Sequence, residues 1–423
     1  MRGRVRRRRI LHLHHARQLK ETSPELMKTR TTRPFSAFQS LMRGWSELAP
    51  YNFIHALRLE EPAEVERWRS AAGEALHCLG LTKGIAIETP MADIETHLAA
   101  ELNRGFAAGE LPLRFFVIET TGAGHWFGVV IDHWFADDFS GRALLQRMYA
   151  TYRGTAAAGL PELFLAKRQP ARRNWFVEWS NFFKQAAALR RARRIPLEMS
   201  LDFTVSAFRV ELPGETLDAV RASAKEQNAT VHDVFLAAAA QSCSRAHPPE
   251  PDSPLAGIAL ASAMDLRRFE TGAARAGFGL LISQYTVVEV EPESVPFPDL
   301  VARIAQKTRG LKAVSGRGIF LAGILFWRLS FSRRAKATVY QRGAPFAAGL
   351  SNVNLNGSWL EQSGIAEFRR VGPAGPVVPL VLMITTFRNR IFVDATYRTA
   401  AMCRRDAQIL VDDFARRLVP IAR

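Results

Sequence analysis

The stretch Ile131-Asp-His-Trp-Phe-Ala-Asp-Asp-Phe-Ser-Gly141 decides how this chain is read. The apolar run His125-Trp-Phe-Gly-Val-Val-Ile131 leads into it and has the length and character of a buried strand. His133 and Asp137 follow, four residues apart, just past the strand's end. From Ser140 to Tyr152 apolar residues return at helical spacing, so the histidine is expected on a short loop between strand and helix. Loops held by rigid elements are where catalytic side chains concentrate. Imidazole titrates near neutrality and can take a proton from a hydroxyl or amine at physiological pH.

Working outward, Leu113-Arg-Phe-Phe-Val-Ile118 reads as a neighbouring strand, joined to the first through Thr-Thr-Gly-Ala-Gly. Upstream, Phe35 to Trp45 reads as an amphipathic helix and Phe53 to Leu59 as a strand. Glu61 to Leu79 reads as a helix, with Pro62 near its start and Gly80 just past its end. The best boundary is Leu160 to Ser200, which holds Pro161, Pro170 and Pro196 and the basic clusters Lys167 to Arg173 and Arg190 to Arg194. Between the clusters, Trp175 to Arg191 fits a helix on a membrane surface, or a lobe-crossing helix with a solvated basic face. The second reading is preferred.

The second half repeats the alternation. Phe208 to Leu212, Gly257 to Ala263 and Gln284 to Val290 read as strands, and Thr216 to Gln227 as a helix. Thr230 is suited to cap a helix over Val231 to Ala246. Val378 to Thr385 and Ile391 to Tyr397 form an expected hairpin, turning at Arg388-Asn389-Arg390, before a closing helix from Asp406 to Leu418. The expected class is α/β (α+β) in two lobes, each a mixed β-sheet flanked by helices. Residues 1–33 form a basic tail, 34–199 the lobe carrying His133 and Asp137, and 200–423 the second lobe.

The chain has 423 residues and a net charge of +17. Met1 to Arg33 holds eleven basic and two acidic residues, which is +9 of that total. With little to bury and much to repel, this tail is expected to be disordered. It lacks the apolar stretch of a secretory signal. No run of about 18 uncharged apolar residues is present. The nearest, Gly318 to Phe331, is short and contains Arg328, so it reads as a buried helix. Cys78, Cys243 and Cys403 are odd in number and widely spaced, which points to a reducing, cytoplasmic compartment. The positive charge comes without a nucleic-acid motif, so no nucleic acid is expected. His125 and His133 lie at opposite ends of one strand, too far apart to share an ion easily, and no metal is expected. A hydrolase reading finds no Gly-x-Ser-x-Gly elbow.

His133-x-x-x-Asp137 resembles the His-x-x-x-Asp signature shared by peptide-synthetase condensation domains, wax ester synthases and chloramphenicol acetyltransferase. Phe139-Ser140 is similar to the aromatic-Ser step that follows it. Three more segments fall in family order. Thr230-Val-His-Asp-Val resembles Thr-Val-Asn-Asp-Val, and Ala263-Met-Asp-Leu-Arg267 resembles a Val-Asn-Leu-Arg segment, with Gly277-Phe-Gly following. Gly349-Leu-Ser-Asn-Val resembles a Ser-Asn-Val segment across the active-site cleft.

The resemblance implies two lobes in a V with a central channel and His133 as the catalytic base. It implies that Asp137 is structural and pairs with Arg267, and that Asp132, Asp138, Ser351 and Asn352 line the channel. It further implies an acyltransferase that moves an acyl group from a coenzyme A or carrier-protein thioester to a small alcohol or amine acceptor. No bound cofactor is implied, and a monomer is expected. Two relatives by function stay open: a wax ester or diacylglycerol synthase-like enzyme in peripheral contact with a membrane, and an inactive carrier-protein binder. The sequence departs from the family at Asp132, where a first histidine is usual, and at Asp138, where glycine is usual. Three acids around one histidine are expected to favour imidazolium.

Overall fold

The computed structural model describes residues 37–81, 85–107, 109–122, 124–155, 175–195, 201–251, 253–270, 275–314, 332, 335–336, 345–362 and 364–419. The basic tail, the run Gly318 to Phe331 and the first basic cluster of the boundary lie outside these residues.

The elements come in the order α1 (Ala37–Ser46), β1 (Asn52–Leu59), α2 (Val65–Cys78), β2 (Ile87–Glu88), α3 (Ile94–Leu102), β3 (Leu113–Glu119), β4 (His125–Asp132), α4 (Asp138–Arg153) and α5 (Trp175–Leu189). There follow β5 (Val205–Glu211), α6 (Thr216–Glu226), α7 (Val231–Ala246), β6 (Gly257–Asp265), β7 (Ile282–Val290), α8 (Phe297–Lys312), β8 (Phe346–Asn354), β9 (Ile365–Val371), β10 (Leu380–Phe387), β11 (Arg390–Arg398) and α9 (Arg404–Leu418). They build two mixed sheets flanked by helices. One is five-stranded in the order β2-β3-β4-β1-β9; the other is six-stranded in the order β5-β11-β10-β8-β6-β7.

Local chemistry explains the ends of several elements. Thr230 and Asp233 cap α7 reciprocally, each side chain taking the other's backbone amide, as the Thr-x-x-Asp spacing foretells. The β10–β11 turn falls on Arg388 and Asn389, both at positive φ (50° and 58°), which matches the twist of a tight hairpin. Strand β4 is buried along its whole length, because apolar side chains meet it on both faces.

The boundary at 199/200 is not clean. Strand β9, from the second half, pairs antiparallel with β1 and completes the first sheet. The core around α2 and α4 also takes in Phe278, Leu355, Phe387 and Phe392 from the second half. A second core lies between the six-stranded sheet and α6 to α9. Cys243 is buried there, as expected of a small apolar residue.

Candidate active site

Residues 133–137 form the turn between β4 and α4. The Phe135 amide closes it on the Asp132 carbonyl at 2.9 Å, and the His133 amide is held by the Tyr51 carbonyl at 2.9 Å. The His133 ring stacks on Tyr51 (centroids 5.6 Å apart, 18° between planes) and meets the edge of Phe53 at 5.0 Å. Its Nδ1 lies 3.1 Å from the Ala136 carbonyl. A carbonyl only accepts, so Nδ1 carries the proton and Nε2 carries the lone pair. Among the described residues, the Ala136 contact through Nδ1 is the ring's one side-chain hydrogen bond.

Burial is the largest influence on His133 and lowers its pKa, outweighing the upward pull of the Ala136 carbonyl, Asp137 and Asp138. The expectation that three acids would favour imidazolium is therefore corrected: the neutral ring is favoured.

Asp137 is fully buried and caps α4 through the Ser140 amide, 2.9 Å from Oδ1. Arg267 grips it with two parallel bonds, Nη1 to Oδ2 at 2.8 Å and Nη2 to Oδ1 at 3.1 Å. The Leu281 amide adds a fourth bond at 2.7 Å. Arg267 also donates to Ser140 Oγ at 3.0 Å and lies over the Phe139 ring at 4.2 Å. Ser140 Oγ in turn donates to the Gly279 carbonyl at 2.9 Å. The structure thus joins three separate sequence segments beneath the His133 turn: 137–140, Arg267 and 277–281.

Asp132 and Asp138 are each held by partners of their own. Asp132 is buried and accepts from Ser46 Oγ and Trp134 Nε1, both at 2.8 Å. Burial raises its pKa to about 6, against those two hydrogen bonds. Asp138 sits in a partly buried network, 3.0 Å from His55 Nε2, 3.2 Å from Arg370 Nη1 and 3.0 Å from Arg142 Nε. Burial works to raise its pKa, but the Arg370 and Arg142 charges and the His55 contact hold it well below the usual carboxylate range. His55 is itself lowered, chiefly by burial, so it is neutral and donates to Asp138.

Arg370, on β9, is wholly buried and escaped the sequence reading. Besides Asp138 it reaches Ser351 Oγ (3.1 Å), the Ser351 carbonyl (2.8 Å), the Ile384 carbonyl (2.9 Å) and Thr385 Oγ1 (3.2 Å). It pins both sheets to the start of α4, and Ser351 is committed to it. Asn352 Oδ1, one residue on, is buried without a partner among the described residues.

The remaining histidines fall elsewhere. His125 accepts from Trp68 Nε1 at 2.9 Å and donates to the Glu61 carbonyl at 2.7 Å, which makes it part of the core. His232 contacts Ser262 Oγ at 2.6 Å. Among the described residues no group of three or more His, Cys, Asp or Glu could hold a metal ion.

No family model matches the chain, and no curated protein matches it by sequence. Solved structures do. The first condensation domain of the calcium-dependent antibiotic synthetase superimposes with a TM-score of 0.65 at 12% identity, covering 91% of this chain and 96% of that one. The chain has the condensation-domain fold. The condensation domain of the monacolin K polyketide synthase gives 0.63 at 14% identity (91% and 96% covered). The trichothecene 15-O-acetyltransferase of Fusarium sporotrichioides gives 0.64 at 11% (91% and 94%). A condensation-domain fold at such low identity leaves the reaction to be argued from the site itself.

Proposed function

We propose that this condensation-fold protein is an acyltransferase, with His133 as general base. The observation that carries the reading is the state of His133. Ala136 fixes its tautomer through Nδ1, which leaves the Nε2 lone pair for an acceptor's proton, and burial lowers its pKa.

In the reaction, Nε2 takes the proton from the acceptor's hydroxyl or amine, and the freed oxygen or nitrogen attacks the thioester carbonyl. The carbon–sulfur bond then breaks, and the imidazolium returns the proton to the departing thiolate, so an ester or amide and a free thiol result. The donor is an acyl thioester of coenzyme A or of a carrier protein, and the acceptor is a small alcohol or amine. Asp137 and Arg267 position the turn and do not touch the reacting atoms.

The test is thiol release from a panel of acyl-coenzyme A and acyl-carrier thioesters in the presence of alcohols and amines. Release that requires acceptor and disappears in His133→Ala supports the reading. Acceptor-dependent release undiminished in that variant overturns it.

A further inference from the structure

Helix α5 turns two polar residues inward and several aromatic residues outward. Glu178 and Gln185 are buried, and Gln185 Oε1 accepts the Thr286 amide of β7 at 2.9 Å. Phe176, Trp179 and Phe183 are 81%, 39% and 64% exposed. They stand at i, i+3 and i+7, on one side of the helix. Trp179 and Phe183 lie 6.2 Å apart, with Phe182 5.3 Å from Phe183, so these three rings form a cluster, and Phe176 stands one turn before it. The basic residues expected to be solvated are exposed, and aromatic rings share that surface.

The helix cannot easily roll these rings inward. Beyond its end, Ala192 bridges to Gly257 of β6. Arg193 points into the protein, donating to the His247 carbonyl (2.7 Å), the Ala256 carbonyl (2.6 Å) and Ser244 Oγ (2.9 Å). Lys184, Arg190 and Arg191 are exposed around the rings. Glu178 is the sole acid between residues 175 and 194, and it is buried.

We infer that this face of α5 docks on an anionic lipid bilayer. Aromatic rings settle at the headgroup level, and flanking arginines and lysines pair with lipid phosphates and carboxylates. The charge argues against a second copy as the occupant, since each chain carries +17 and would bring the same basic rim. The inference does not rest on the role of His133.

The experiment is sedimentation of the full chain with vesicles of phosphatidylcholine alone, and of phosphatidylcholine with phosphatidylserine. Binding is expected only where phosphatidylserine is present. The basic tail is also drawn to such vesicles, so the decisive variant leaves charge unchanged. Phe176→Ser, Trp179→Ser and Phe183→Ser together should weaken partitioning about tenfold or more, from the apolar area no longer buried. Arg190→Glu with Arg191→Glu should weaken it independently, and both variants should keep the parent's melting temperature. Should the triple variant misfold, Phe176→Ser alone, at the most exposed of the three rings, decides with charge again unchanged. Parent-like binding by these variants overturns the inference, as does a parent that ignores both vesicles. So does a parent dimer that the triple substitution dissociates without loss of vesicle binding.

Discussion

At the scale of single residues, the position of His133 depends on a carboxylate that never meets substrate. Asp137 accepts four hydrogen bonds in full burial, two of them from Arg267. Removing one partner leaves the other buried and uncompensated, which typically costs about 3–5 kcal/mol. Asp137→Ala or Arg267→Ala should therefore lower the melting temperature sharply, as read by calorimetry. Arg267→Lys should recover little, because an ammonium cannot reproduce the parallel pair. His133→Ala should behave in the opposite way: an unchanged melting temperature and a loss of about 10²–10⁴ in turnover. The pH profile separates these roles further. Burial lowers the His133 pKa from 6.5, so the acid limb of the rate should fall below pH 6.5. A limb centred well above 6.5 would mean that another group titrates.

At the scale of elements, the approach of α4 to β1 and β9 decides what Asp138 is for. A Cβ on Gly141 would lie 2.8 Å from Phe53 and 2.9 Å from His55, so the helix reaches the sheet only because that residue is glycine. Asp138, one turn earlier, then meets His55, Arg142 and the buried Arg370. Asp138→Gly would restore the residue usual in the resembling families. It should nevertheless destabilise this chain by about 3–5 kcal/mol, measured by denaturant unfolding, because Arg370 would lose its buried counter-charge. Gly141→Ala should cost about 1–3 kcal/mol through overpacking. This network also marks the limit of what the sequence discloses. The strand–loop–helix around His133, the Thr230 cap and the β10–β11 hairpin each follow from spacing within a dozen residues. The contact between Asp137 and Arg267 could be expected only through resemblance, since 130 residues separate them. Strand β9 carries three charges in seven residues, Glu367, Arg369 and Arg370, and has no local mark of burial. Its partners are 232 residues away at Asp138 and on β1, β8 and β10, so only tertiary pairing defines it.

At the scale of the whole molecule, the histidines set how the fold responds to acid. His55, His97, His125, His133, His232 and His247 all have lowered pKa values, each with burial as the leading cause. A lowered histidine is neutral in the folded protein while the unfolded chain already binds a proton. Its contribution is fully present above the unfolded value of about 6.5 and is lost as pH falls toward the folded value. For His232 that window runs from 6.5 down to about 4. Asp132 works in the opposite sense. Its pKa, raised to about 6, means that acidification through pH 6 relieves a buried charge and partly offsets the loss. Among the lowered carboxylates, Asp138, Asp233, Asp394 and Asp413 contribute above their reference value of 3.8, below this window, and Glu88, lowered from 4.5, adds to the loss only at its acid end. Six groups against one predict a melting temperature that is highest near neutrality and falls steadily between pH 6.5 and 4. His232 isolates one share of that slope. It lies at the start of α7 with Nε2 2.6 Å from Ser262 Oγ, at a position where the resembling families carry asparagine. Asparagine can keep a hydrogen bond there and does not titrate. His232→Asn should therefore leave stability at pH 8 within about 1 kcal/mol of the parent and flatten the acid slope, on the order of 1–3 kcal/mol recovered at pH 4.5. Urea unfolding of parent and variant at the two pH values measures this directly. Equal slopes would show that His232 is not held neutral by the fold and would pass its share to the other five.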